Sequence, residues 1–123
     1  MIEKVSDITY QNIADYIRVD VAQDDTTTQN ELKTYLKIAK EYISSYTGIP
    51  ITKEIGADIK TLDDYPDFII VVYVLCQDMY DNRSMYVDDQ NLNKVVQTIL
   101  GMHAINNIWQ KLLIQENINT EYL

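Results

Sequence analysis

Apolar residues recur three and four positions apart along most of the chain, the spacing of a helix face, and seldom alternate as in a half-buried strand. The clearest run is Leu32, Leu36, Ala39, Ile43 and Tyr46, which falls on one face and leaves Lys33, Lys37, Lys40 and Glu41 largely elsewhere. Thr28 with Glu31 three residues on matches a capping box, and Gly48 followed by Pro50 supplies a stop, so a helix is predicted from about Thr28 to Gly48. An earlier helix is predicted over Tyr10 to Val19, with Ile13, Ala14, Tyr16 and Ile17 as its apolar face and Asp7 or Thr9 as its cap. The polar stretch Gln23 to Thr28 between the two reads as a loop.

Beyond Gly48 the pattern loosens. Ile51, Ile55, Ile59 and Leu62 could tuck a short turn against the domain. Asp64-Tyr65-Pro66-Asp67 then puts acids and a proline where a helix begins, and nine apolar residues follow without a break from Phe68 to Cys76. The run continues through Gln77-Asp78-Met79-Tyr80 with no turn signal, which favours a helix to about Asn82 over a buried strand. Being apolar all round, that helix is expected at the centre of the fold. Ser84 to Gln90 breaks the pattern. A fourth helix is predicted to place Leu92, Val95, Val96, Ile99 and Leu100 on one face, with Gly101 weakening or ending it. Residues 105–123, with Ile105, Ile108, Trp109, Leu112, Leu113 and Ile114 before a polar tail, form either an extra helix or an arm ordered against a neighbour. The prediction is an all-α fold: a small bundle of four to five helices around the central helix 68–82, in a single domain of core 1–104 and C-terminal arm 105–123.

Composition narrows the function classes. Two prolines and three glycines in 123 residues argue against a turn-rich sandwich or barrel. Ten Lys and Arg against 19 Asp and Glu give a formal charge of −9, which repels phosphate backbones, so specific nucleic-acid binding is not expected. The apolar run is too short to span a bilayer, and Met1-Ile-Glu-Lys-Val-Ser-Asp7 carries no signal-peptide pattern, so no membrane partner is expected. A lone cysteine excludes an intrachain disulfide and suits a reducing compartment.

Candidate chemistry is sparse. Triads and zinc sites lean on histidine, and His103 is the only one; it reads as a helix-end or surface residue, while Cys76 lies in the most apolar stretch and reads as packing. Asp89-Gln90-Asn91-Leu92-Asn93 begins like a calcium loop but has Lys94 where the sharp-turn glycine belongs and Leu100 where the bidentate carboxylate belongs. The acid pairs Asp24-Asp25, Asp63-Asp64 and Asp88-Asp89 sit at loops or helix starts and read as caps. No catalytic residue, metal ligand or cofactor site is assigned. Of the ten tyrosines, Tyr35, Tyr42 and Tyr46 follow helical spacing toward the core, whereas Tyr80, Tyr86 and Tyr122 lie near ends and loops, as contact residues do.

One element is more pointed. An apolar helix closing in Tyr80-Asp81-Asn82-Arg83, preceded by Asp15-Tyr-Ile-Arg-Val-Asp20, an Asp-containing linker, a long helix and Thr47-Gly48, resembles the head-tail connector (adaptor) proteins of long-tailed bacteriophages and prophages. The resemblance runs from the first helix through the fourth. It implies a structural virion protein and not an enzyme. Such a protein assembles as a homo-oligomeric ring under the portal protein, extends the DNA channel and docks a downstream neck or tail-completion protein. It also implies residence in the virion neck, host cytoplasm during assembly, and an isolated chain that can stay monomeric until a portal templates it. Tyr80, Asp81, Asn82 and Arg83 are then the signature and a candidate subunit contact, Arg83 having Asp78, Asp81 or a carboxylate of another helix as partner. Ile108, Trp109, Leu112 and Leu113 are the candidate portal-binding arm. A helical protein–protein adaptor inside the cell, unrelated to phage, shares the same composition. An enzyme with a carboxylate-based site would need a cleft lined by two acids, which no predicted helix supplies.

Overall fold

The computed structural model describes residues 2–53, 59–83, 85–87 and 92–121, of which 106, 107, 109–111 and 113–121 are described as backbone only. Among these residues there are four α-helices and no strand. Helix α1 spans Tyr10–Ile17, α2 Thr26–Thr47, α3 Phe68–Asn82 and α4 Lys94–Glu121, with 3-10 turns at Val5–Asp7 and Leu62–Asp64.

Each of the first two helices starts where a side chain takes over free amides of its first turn. Thr9 caps α1 reciprocally with Asn12: the Asn12 N–H donates to Thr9 Oγ1 at 3.3 Å and the Thr9 N–H donates to Asn12 Oδ1 at 2.8 Å. Helix α2 begins two residues before the expected Thr28, because Asp25 is the cap, its Oδ1 accepting the Thr28 N–H at 3.1 Å. Glu31 is thereby freed from the capping box assigned to it. At the other end Gly48 adopts φ 77°, the left-handed conformation a side chain disfavours, and donates its N–H to the Ser44 carbonyl at 2.8 Å.

Helix α3 is the hub, packed by α1, α2, α4 and the first 3-10 turn. Phe68, Val71, Val72, Leu75, Cys76 and Met79 are buried against these neighbours, each large apolar side chain contributing about 1.5–3 kcal/mol. The enclosure is incomplete: Ile70 is 40% exposed beside a shallow groove lined by Ile2, Pro66 and Ile69. Helix α2, which packs on α3, α4 and α1, buries Leu32, Tyr35, Leu36, Ala39 and Ile43. Tyr46, expected on that face, is 44% exposed, whereas Tyr35, also expected toward the core, is 1% exposed. In the connection from α2 to α3, Ile49 and Leu62 are buried while Ile59 is 44% exposed; Ile55 lies outside the described residues.

Helix α4 does not stop at Gly101. It runs unbroken to Glu121, so residues 105–121 are helix. Val96 and Leu100 are fully buried, and Leu92 and Ile99 pack against the core, but Val95 is 58% exposed and does not belong to that face.

Candidate functional site

The Tyr80-Asp81-Asn82-Arg83 element builds the corner where α3 ends. Arg83 has φ 50°, a left-handed conformation that glycine adopts at far lower cost. Its N–H bonds to the carbonyls of Met79 and Tyr80 close the helix. The arginine side chain supplies what glycine could not. Its guanidinium carbon lies 4.3 Å from the centre of the Tyr80 ring, and Nη1 donates to Glu31 Oε1 at 2.7 Å. The Tyr35 hydroxyl donates to the same oxygen at 2.5 Å. Of the partners considered for Arg83, the carboxylate of another helix is the one found, and it ties the end of α3 to the first turns of α2.

The electrostatics follow the geometry. The hydrogen bond to Glu31, with the negative charge behind it, raises the pKa of Arg83 further. Burial first, and the Glu31 hydrogen bond second, push the Tyr35 phenol up to about 12. Asn82 turns back to donate to the Asp78 carbonyl at 2.8 Å. Asp81, Asn82 and Arg83 face solvent and Tyr80 is half-buried. Of the adjoining loop, Ser84 and residues 88–91 lie outside the described residues, as do the expected calcium-like start at Asp89 and the pair Asp88-Asp89; Tyr86 is 69% exposed.

His103 is neither at a helix end nor on the open surface. Its ring packs 4.6 Å from both Tyr65 and Phe68, and Nε2 lies 2.7 Å from Asp67 Oδ2. The imidazole thus latches α4 to the start of α3. Cys76 is fully buried, and burial pushes its thiol up to about 12, which keeps it protonated and unreactive. Asp25, Asp63 and Asp64 serve as acceptors for backbone amides: Asp25 caps α2, Asp63 accepts from Ser6 at 2.8 Å and Asp64 from Thr61 at 2.8 Å. Among the described residues no three His, Cys, Asp or Glu side chains are grouped to hold a metal. Among them, too, no helix is long and apolar enough to cross a membrane.

The most unusual surface lies on α4. Val95, Met102, Ile105, Ile108 and Leu112 are between 50% and 58% exposed. At 100° per residue they fall on the side opposite Val96, Leu100 and His103, so the helix carries two apolar faces and the bundle uses one. Of the four arm residues expected from the sequence, Ile108 and Leu112 belong to this outer face; the side chains of Trp109 and Leu113 lie outside the described residues, as does Tyr122. Sequence reasoning allowed Arg83 a carboxylate of another helix but did not single out Glu31, nor Tyr35 as the second donor to that carboxylate, and no local signal marks a contact across 52 residues. The second face of α4 did have a signal, in the spacing of its apolar residues. No protein-family model, curated protein or solved structure matches the chain.

Proposed function

We propose that the chain is a structural virion protein, a head-tail connector that joins a ring beneath a portal protein, extends the DNA channel and docks the next neck or tail component. The single observation that carries an assembly role is the outer apolar face of α4. Five large apolar side chains half exposed on one helix are an interaction surface and not a solvated one. The choice of a connector among assembly proteins rests on the resemblance of the ordered elements and of Tyr80-Asp81-Asn82-Arg83. The corner built by Arg83, Tyr80 and Glu31 is an internal junction that ties the end of α3 to α2, and it is common to a connector and to an adaptor unrelated to phage.

On this reading the protein is not an enzyme. Ile108, Trp109, Leu112 and Leu113 grip the portal, and the exposed corner at Arg83 sets the geometry between ring subunits. The charge of −9 suits a channel wall past which DNA slides without sticking. Assembly takes place in the host cytoplasm and ends in the virion neck.

The test is native mass of the chain mixed with the portal protein encoded beside its gene. A complex holding many copies per portal, lost when the chain is truncated after Asn107, is the expected result. Normal docking by the truncated chain would remove the arm from the proposal. Failure of the full chain to bind that portal would favour a helical adaptor unrelated to phage, which the same face of α4 would equally serve.

A further inference from the structure

The outer face of α4 has a period that says what covers it. Val95, Thr98, Met102, Ile105, Trp109 and Leu112 follow one another at spacings of three, four, three, four and three. That is the spacing of a short coiled-coil seam, with Thr98 its polar member and Ile108 on its flank; a 3.5-residue repeat keeps one narrow stripe facing a second helix. The amphipathic face of a helix lying on a globular core is broader and less regular, as the inner face of α4 is. Thr98 is exposed, like its described apolar neighbours on the seam. Helices α1, α2 and α3 spend their main apolar faces on one another. Within the described chain the seam therefore has no mate.

Charge selects the occupant. The chain carries −9, so two copies repel over most of their surface, yet no Asp, Glu, Lys or Arg occurs from Val95 to Gln110. The seam thus lies in a stretch where one copy can approach another without facing like charge. A charged partner of opposite sign would gain more from the acidic surface elsewhere than from this neutral stripe. We propose that the outer seam of α4 pairs with the same seam of a second copy, as an antiparallel two-helix coiled coil.

The antiparallel arrangement follows from size and charge. It sets Met102 of one copy against Ile105 of the other and Val95 against Leu112, so small and large residues share layers. It also displaces the two acidic bundles along the axis, because each bundle packs on the N-terminal part of its own α4. The pair forms in the isolated chain and does not depend on a role in a virion. Where the chain also docks a portal through Ile108 and Leu112, the pair must part first, and the two events compete.

The test is sedimentation equilibrium of the full chain over a micromolar concentration series. The expected mass is twice 14.3 kDa. Ile105→Glu and Met102→Glu alter side chains 57% and 53% exposed and leave the core untouched. Each should weaken the pair on the order of a hundredfold, as loss of a central interface residue does, with helical circular dichroism retained. Met85→Glu, at a side chain 54% exposed off the seam, should leave the mass unchanged. A mass of 14.3 kDa at every concentration, a different multiple, or a dimer indifferent to both seam variants would overturn the proposal.

Discussion

Tyr35→Phe isolates one hydrogen bond of the junction that fixes the corner at Arg83. The phenol ring is 1% exposed and remains in place, so packing is conserved and only the bond to Glu31 Oε1 is lost. A hydrogen bond to a charged group is worth about 1.5–3 kcal/mol, and more is lost when the acceptor is left unpaired. Here the acceptor is not orphaned: Arg83 bonds the same oxygen, and the Glu31 side chain is 20% exposed to water. The cost should fall to the low end, about 1 kcal/mol. With an unfolding entropy of about 2.1 cal/mol/K per residue over 123 residues, 1 kcal/mol lowers the melting temperature by about 4 °C. The pH dependence gives a second arm. The Tyr35 pKa is raised to about 12, so the stability it contributes is complete below its unfolded pKa near 10 and is lost as pH rises toward 12. The unfolded chain releases that proton first. Differential scanning calorimetry should therefore find wild type above Tyr35→Phe by about 4 °C near neutral pH, with the gap closing above about pH 10 and reversing before about pH 12, because burial, the larger cause of the raised pKa, adds to the cost of ionising the folded chain. Equal melting temperatures near neutral pH, or a gap constant to pH 12, would refute the bond's role in holding the corner.

Three further outcomes follow from single positions. His103→Ala, which removes a ring packed on Tyr65 and Phe68 and the contact with Asp67, should cost about 2 kcal/mol in urea unfolding. His103→Phe keeps the rings together and should recover about half; equal losses would mean that the latch is not an aromatic contact. Cys76 should resist thiol labelling in the native protein and react fully in denaturant, since it is buried and its thiol is pushed up to about 12; prompt native labelling would contradict that burial. Gly101→Ala should stabilise the chain by about 0.5–1 kcal/mol in thermal melts, because a Cβ at this helical position meets nothing within 4 Å; a loss of stability would mean that the site is crowded.

The helical spacings at Leu32, Leu36, Ala39 and Ile43 and the apolar run from Phe68 make the bundle legible, because burial on one face imposes a period on the sequence itself. The differences arise where two local options compete. Asp25 and Thr28 are both sound caps, and tertiary demand for Glu31 at Arg83 goes with the first. Gly101 lowers helix propensity, but two apolar faces give α4 stronger reasons to continue than one glycine gives to stop. Val95 groups with Val96 in the sequence because adjacent apolar residues cannot be apportioned between faces until the far end of the helix is known to be helical. The Arg83 junction is visible as a motif but not as a contact, since side chains 52 residues apart meet only through the fold.

Acidity and the apolar seam become one device when taken together. A surface of −9 keeps copies of the chain apart wherever they approach by their bundles, which suppresses indiscriminate association. The uncharged stretch from Val95 to Gln110 leaves one approach open, and the heptad spacing restricts that approach to a helix in register. Attraction at the seam is hydrophobic and insensitive to moderate salt, whereas repulsion between the bundles is screened over about 30 Å at 0.01 M salt and about 10 Å at 0.1 M. Self-association should therefore tighten as salt is added across that range, opposite to an interface built on ion pairs. Weakening by salt would place charged groups at the contact and exclude the seam as its basis.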